Sequence, residues 1–410
     1  MRFLLCLVFS FSVVSVASVL GLEALGFEDM SGASASLAAT GYAGNAKIEE
    51  GVSMLNPARL GFNKSVSFSA NLEYQLTSIS TKKSSFSTNS ISIPSFYLAF
   101  PMGNLGAFSM GLWQRYSSIL KYDLKDSVAG NDLKIEYQGS IFEFTPSYAL
   151  KLPFWYRLSV GGTAHIVMGN NQRSMELGAN NSLLNESDVW ATNNASITDI
   201  AKGSWDILNH PAYYTLSMQY RGKRSNMFFS YTNGHTLIND LEYRFQESEL
   251  DTLIPSKTSR KIEVPVTVAT GISHRFLKEH HLLLDFMWRP WSKSIPTLAG
   301  GYALHDSVKV QEEYLLSLGY KKEGSGVFYE SYLSRMSYSA GVWHKKHYLR
   351  GVKELGASLG LGLPLGRRGT VIDLAFQGGK RSSSSKYHAS EAFVGFKLGL
   401  MGLSSWGNKY

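Results

Sequence analysis

Strict alternation of apolar and polar side chains, repeated in segment after segment, constrains this chain most. Over 66–77 one face carries Val66, Phe68, Ala70, Leu72, Tyr74 and Leu76. The other carries Ser67, Ser69, Asn71, Glu73, Gln75 and Thr77. A period of two marks a β-strand with unlike faces. The same pattern sets Phe142, Phe144, Tyr148 and Leu150 against Glu143, Thr145 and Ser147. It sets Leu282, Leu284, Phe286 and Trp288 against Asp285 and Arg289, and Val394, Phe396, Leu398 and Leu400 against Gly395, Lys397 and Gly399. Over 262–272, Ile262, Val264, Val266 and Val268 read as one continuous apolar face.

These segments run about ten residues or longer, the length a tilted strand needs to cross a bilayer. Strands of soluble proteins usually stop at about five or six. Beyond the N-terminus no apolar run is long enough for a transmembrane helix. Lipid offers nothing to an unpaired backbone, so a sheet that spans it must close on itself. The fold expected is all-β: a transmembrane antiparallel β-barrel of about 14 strands with an N-terminal hatch inside the lumen. Strands are expected near 66–79, 90–101, 106–122, 133–150, 156–169, 206–220, 226–237, 262–275, 281–291, 308–320, 326–337, 349–363, 369–379 and 389–402. Short connections, as at 102–105, 152–155, 222–225 and 322–325, alternate with long ones, the largest near 170–205 and 238–261. Barrels of bacterial outer membranes have tight periplasmic turns and long external loops. Aromatic side chains near strand ends (Trp113, Tyr116, Trp155, Trp288, Trp291, Trp343, Trp406) read as interfacial girdles.

The first 17 residues read as an export signal: Arg2, then an apolar run from Phe3 to Val16, with cleavage near Ala17. The one cysteine, Cys6, lies inside it. A mature chain without thiols has no disulfide, no cysteine nucleophile and no thiolate metal site. The formal net charge of +8 is read as an answer to anionic lipid or fatty acid rather than nucleic acid, which an exported chain rarely meets. Three parts follow: 1–17 signal peptide, 18–65 hatch or plug, 66–410 barrel. The mature protein is placed in a bacterial outer membrane.

Residues from about 21 to 65 do not alternate. Small side chains crowd 32–45, and Asn56, Pro57 and Ala58 precede the first strand. Asn can bond the backbone locally and Pro ends regular structure. A small-residue N-terminal segment, then Asn-Pro-Ala, then a barrel of about this strand count, resembles the long-chain fatty-acid transporter (FadL) family. The resemblance implies that Asn56, Pro57 and Ala58 belong to a hatch filling the barrel. It also implies that apolar ligand leaves sideways through a kink in the third strand. Gly106, Ala107 and Gly111 in that strand permit a bulge.

Glu73, Glu143, Arg157, Asp285, Arg289, Asp373 and Lys397, with Glu313 and His165, are expected to face the lumen. Ion pairs fixing a plug to its wall are the commoner use of such groups, and a route for a ligand carboxylate is the alternative. Basic clusters at Lys82 and Lys83, at Lys257, Arg260 and Lys261, at Lys345, Lys346 and Arg350, and at Lys380, Arg381 and Lys386 are assigned to external loops. His344 and His347 are assigned to a loop too, so no metal site is expected. No nucleophile elbow, phosphate loop or zinc motif is present, so neither catalysis nor a cofactor is expected. The function expected is passive uptake of hydrophobic small molecules such as long-chain fatty acids, by a monomer embedded in outer-membrane lipid. Its final Tyr410 would suit recognition by the barrel-assembly machinery. The alternative is a structural or interaction barrel without transport, a secretion-system partner or surface adhesin.

Overall fold

The computed structural model describes residues 27–28, 34–80, 85–125, 131–179, 202–207, 212–245, 254–293, 310–327, 329–365, 369–383 and 390–404. The expected signal peptide, Lys82, Lys83, Lys386, Trp406 and Tyr410 lie outside the described residues.

Fourteen antiparallel strands form one closed barrel. The first three are β1 (Val66–Ser80), β2 (Ser85–Pro101) and β3 (Ala107–Lys125). Next, β4 runs in two pieces (Asn131–Phe144, Ser147–Lys151), and β5 is continuous (Leu158–Ala179). β6 is described over Lys202–Ile207 and Ala212–Arg221, and β7 (Ser225–Thr232, His235–Phe245) and β8 (Ile254–Val264, Thr267–Arg275) are also divided. The last six are β9 (His280–Arg289), β10 (Glu313–Lys322), β11 (Ser337–Lys346), β12 (Val352–Leu365), β13 (Thr370–Ser383) and β14 (Ser390–Ser404). Pairing of Ser404 with Val66 joins β14 to β1. No described helix is long and apolar enough to cross a membrane.

The faces invert the arrangement of a soluble protein. Ser67, Asn71, Glu73, Gln75 and Thr77 of β1 are buried in the lumen, while Phe68, Leu72 and Leu76 are exposed on the outside. On β9, Asp285 and Arg289 point in and Leu282, Leu284, Phe286 and Trp288 point out. That outer surface suits lipid, which has no water to order.

Several expectations are corrected. The strand expected over 326–337 lies at Ser337–Lys346, and a turn of helix (Tyr332–Arg335) occupies the connection before it. Four large residues, Val327, Phe328, Tyr329 and Tyr332, had imitated a strand there. Consequently Lys345 is not in a loop but buried in the lumen, as is Arg381 on β13. Within the stretches expected as long loops, residues 170–179, 202–205, 238–245 and 254–261 are strand, including Lys257, Arg260 and Lys261. The face read over 262–272 is broken at Pro265. Above it Val264 points inward; below it Val268 does not. Proline cannot donate to the ladder, and the interruption re-aims the side chains. Trp113, Tyr116, Trp291 and Trp343 are buried inside rather than forming a girdle.

Among the described residues, strands are interrupted at Thr145–Pro146 in β4, Asn233–Gly234 in β7 and Pro265–Val266 in β8. Backbone bonds tie two of these interruptions to the neighbouring strands, Ala164 N of β5 to Pro146 O (3.0 Å) and Asn233 N to Tyr214 O of β6 (3.1 Å). Here Tyr116, Ile141, Val167, Tyr213, Leu237 and Val264 turn inward. They meet Trp291, which follows β9, and Tyr348, which follows β11, in one apolar cluster.

Candidate functional site

The lumen is the candidate site, and residues 34–63 occupy it. Their small side chains let backbone approach the wall directly. A Cβ on Gly341 of β11 would stand 2.1 Å from the carbonyl carbon of Thr40, and one on Gly161 of β5 2.7 Å from the amide nitrogen of Ala58. Glycine at these wall positions is therefore a steric requirement. Polar wall side chains take the segment's backbone groups. Asn71 Oδ1 accepts from Ala35 N (2.9 Å), Ser358 Oγ from Gly41 N (2.9 Å) and Ser217 Oγ from Ala58 N (2.7 Å). One carboxylate oxygen of Asp285 accepts from Gly44 N, Asn45 N and Asn45 Nδ2 at 2.8–3.0 Å.

Asn56 is fully buried. Its side-chain amide donates to Asn45 O (2.8 Å) and to Gln219 Oε1. Pro57 then starts a 3₁₀ turn, Pro57–Phe62, where its fixed φ and missing N–H carry no penalty. Thus Asn56, Pro57 and Ala58 meet β5 and β6.

Above this segment the lumen is layered. A cavity of about 50 Å³ is bordered by Met54, Trp113, Arg115, His165, Thr215 and Arg289, among others. Glu143 binds Arg115 Nη1 (3.0 Å), His165 Nδ1 (2.9 Å) and the Tyr213 hydroxyl. Glu313 accepts from Arg289 Nη1 and Trp291 Nε1 (both 2.9 Å), and Lys345 Nζ lies 3.2 Å away. The apolar cluster around Tyr213 and Trp291 lies beyond, towards the outside. Below the segment, a cavity of about 180 Å³ is bordered by Lys47, Glu49, Arg59, Lys321, Glu323 and Asp373, with others.

Glu73 (with Lys397 at 3.2 Å), Glu143, Asp285, Arg289, Asp373 and Lys397 therefore all border or point into the lumen. Arg157 does not. It lies in the periplasmic turn between β4 and β5, over the Tyr156 ring. That turn spends its polar residue at the rim, not in the lumen.

Glu143, His165 and Thr215 stand in line, with His165 Nε2 2.9 Å from Thr215 Oγ1. The order imitates a hydrolytic triad. However, Thr215 Oγ1 also bonds Thr232 Oγ1 at 2.7 Å, and the hydroxyl is buried. The chain from Glu143 through His165 and Thr215 to Thr232 ties four strands, β4 to β7, together. Among the described residues no group of three His, Cys, Asp or Glu could hold a metal.

The barrel wall carries a seam. β2 pairs with β3 only from Ser95–Trp113 down to Pro101–Ala107. Above that, β2 has Pro94, which has no N–H, and the β1–β2 register shifts beside it. β3 has a bulge at Arg115. Higher on β3, Ser117 and Tyr116 pair instead with the two-residue strand Phe27–Glu28. Gly106 and Gly111, where the bulge was expected, lie at or in the paired lower half. Gly106 has φ +97° after the turn, and Gly111 packs against Tyr97. Val52 and Met54 of the inner segment touch Tyr97 and Trp113 just behind the seam. Arg115, Glu313, Lys345 and Glu354 carry much of the inner network; Glu313 was expected in the lumen and Lys345 in a loop, while Arg115 and Glu354 escaped notice in the sequence. Polar residues interrupting an apolar strand context were the available signal.

A closed fourteen-stranded barrel with polar lumen and filled interior has the fold seen in FadL-type barrels. A Pseudomonas aeruginosa FadL homologue shares the fold at TM-score 0.59 and 13% identity, over 96% of this chain and 99% of that one. The Pseudomonas putida toluene transporter TodX gives 0.55 and 13%, over 94% and 100%. The CymD monoaromatic hydrocarbon channel gives 0.53 and 14%, over 95% and 100%. The chain itself belongs to the BamG family, whose model matches residues 12–410. No curated protein matches it.

Proposed function

We propose that this barrel admits small hydrophobic molecules passively across the outer membrane, with residues 34–63 acting as a movable hatch. The carrying observation is the seam between β2 and β3 beside the cavity lined by Met54 and Trp113. An apolar molecule leaving there would enter lipid without crossing water. Cavities of about 50 and 180 Å³ are smaller than the roughly 300 Å³ of ordinary ligand sites, so passage requires the hatch to shift. Asn56, Pro57 and Ala58 hold its lower end; Glu73, Glu143, Asp285, Arg289, Asp373 and Lys397 line its bed. Channels of the same fold carry names that refer to toluene and monoaromatic hydrocarbons. Long-chain fatty acid is the narrower substrate we infer, because Arg115 and Arg289 at the cavity suit a carboxylate once their Glu partners yield. No cofactor or energy source is part of this reading.

The test is saturable binding of fluorescent fatty acid, and separately of labelled toluene, to the purified protein in detergent. Asn56→Ala should alter affinity for whichever ligand binds. Absence of saturable binding for both would reject transport. A second reading has its own support: the BamG family name points towards barrel assembly, and a lumen packed with ion pairs suits a partner that never opens. Co-purification of a stable barrel-assembly partner, without ligand binding, would favour it.

A further inference from the structure

The periplasmic rim beneath β4 to β9 concentrates positive charge. Its three turns carry Lys151 and Arg157; Arg221, Lys223 and Arg224; and Arg275 and Lys278. Against these seven cations stands one acid, Glu279. All but Arg157 are exposed, and Arg157 is half-buried. The turns are neighbours laced by backbone bonds: Arg221 N donates to Arg157 O (2.7 Å) and Arg275 N to Arg224 O (2.7 Å). The Arg275 guanidinium also donates to Lys223 O (3.1 Å). The charges are thus held on one rigid arc.

Aromatic and apolar groups share this arc. Phe154 is 94% exposed and Trp155 68%, with Tyr156, Phe276 and Leu277 also exposed. Directly above, the outward faces of β6, β7 and β9 present Met218, Tyr220, Met227, Leu282 and Leu284. This apolar surface faces lipid acyl chains and runs without interruption into the basic turns. One molecule matches both halves: an acyl chain lies on the wall while an anionic phosphate meets the cations. Amphipathic rings at the headgroup level complete the fit.

We propose that this arc is a binding surface for anionic phospholipid of the inner leaflet. Clustered Lys and Arg at a membrane surface attract acidic headgroups, and salt screens the attraction. An acidic protein segment would answer the charge but leave the continuous apolar wall unexplained.

The test uses the full mature protein in phosphatidylcholine vesicles containing brominated phosphatidylglycerol or, at equal fraction, brominated phosphatidylcholine. Trp155 emission is isolated by subtracting a Trp155→Phe variant. Brominated phosphatidylglycerol should quench it about threefold more strongly at low salt, as a cluster of cations near the headgroups predicts. The preference should fall towards unity in K223Q/R224Q/K278Q, whose folding is checked by heat-modifiable gel mobility. Equal quenching by both lipids would overturn the proposal, as would a preference that survives the triple substitution. Binding of a poly-glutamate peptide with no lipid preference would also overturn it and assign the arc to an acidic protein.

Discussion

Asp285 shows how a single side chain holds the inner segment 34–63. It faces three buried donors of Gly44 and Asn45. Asp285→Ala leaves them unpaired, and each buried donor without a partner costs about 1–3 kcal/mol. Amide exchange over residues 40–46 is expected to quicken at least tenfold while the strands stay protected; unchanged exchange would refute the role. Gly341→Val acts through volume instead. Its side chain would begin 2.1 Å from the Thr40 carbonyl carbon and 2.3 Å from Gly41 N, so the inner segment must shift. Higher single-channel conductance in planar bilayers is the expected readout. Asp285 was legible as a lumen charge because its strand alternates cleanly. Gly341 was not, since a glycine required by a segment 300 residues away looks like any strand glycine.

At the scale of elements, the seam between β2 and β3 is the point of least pairing. Phe27 stands opposite Ser117, and Glu28 opposite Tyr116. With Cys6 the only cysteine, the pair F27C/S117C should form a disulfide under mild oxidation. Cross-linking is expected to slow hydrophobic uptake into proteoliposomes, with recovery on reduction. Uptake that ignores the cross-link would remove the seam from the route. The third strand was expected to be irregular, but at its glycines. The irregularity sits at Arg115 and opposite Pro94, because missing donors and a bulge end pairing, whereas small residues merely permit it. The β11 strand was misplaced by ten residues or so because a run of large side chains over 326–332 mimics alternation without any wall to bury it.

At the periplasmic end of the molecule, charges from the inner segment and from the wall meet. The Glu49 carboxylate meets Lys47 (2.9 Å), Lys321 (3.0 Å) and Arg59 (3.7 Å). Burial pushes its carboxyl up, but Lys321, Lys47 and Arg59 together hold it well below the usual value of 4.5. Glu323, beside His281 and Lys47, is lowered to about 2, chiefly by its bond to His281. Glu323 is partly exposed, so water screens its share. A carboxylate lowered on folding stabilises above its unfolded pKa, and the contribution disappears as pH falls through the folded value. The inner segment should therefore sit equally firmly from neutral pH down to about 4.5 and loosen below. Pepsin cleavage within residues 45–59, followed from pH 5 to pH 2, should rise only in the lower part of that range. A flat profile would exclude these carboxylates as the latch.

The sequence by itself determined the barrel. Lipid outside and an enclosed polar interior both act on every strand, so period-two alternation and segment length carry that information locally. Even the strand number could be counted from it. Which lumen charges pair, where the wall parts and which residues line the cavities were decided only by tertiary structure. Those contacts join strands far apart in the chain, and their energies depend on distances of a few ångströms that no local pattern encodes.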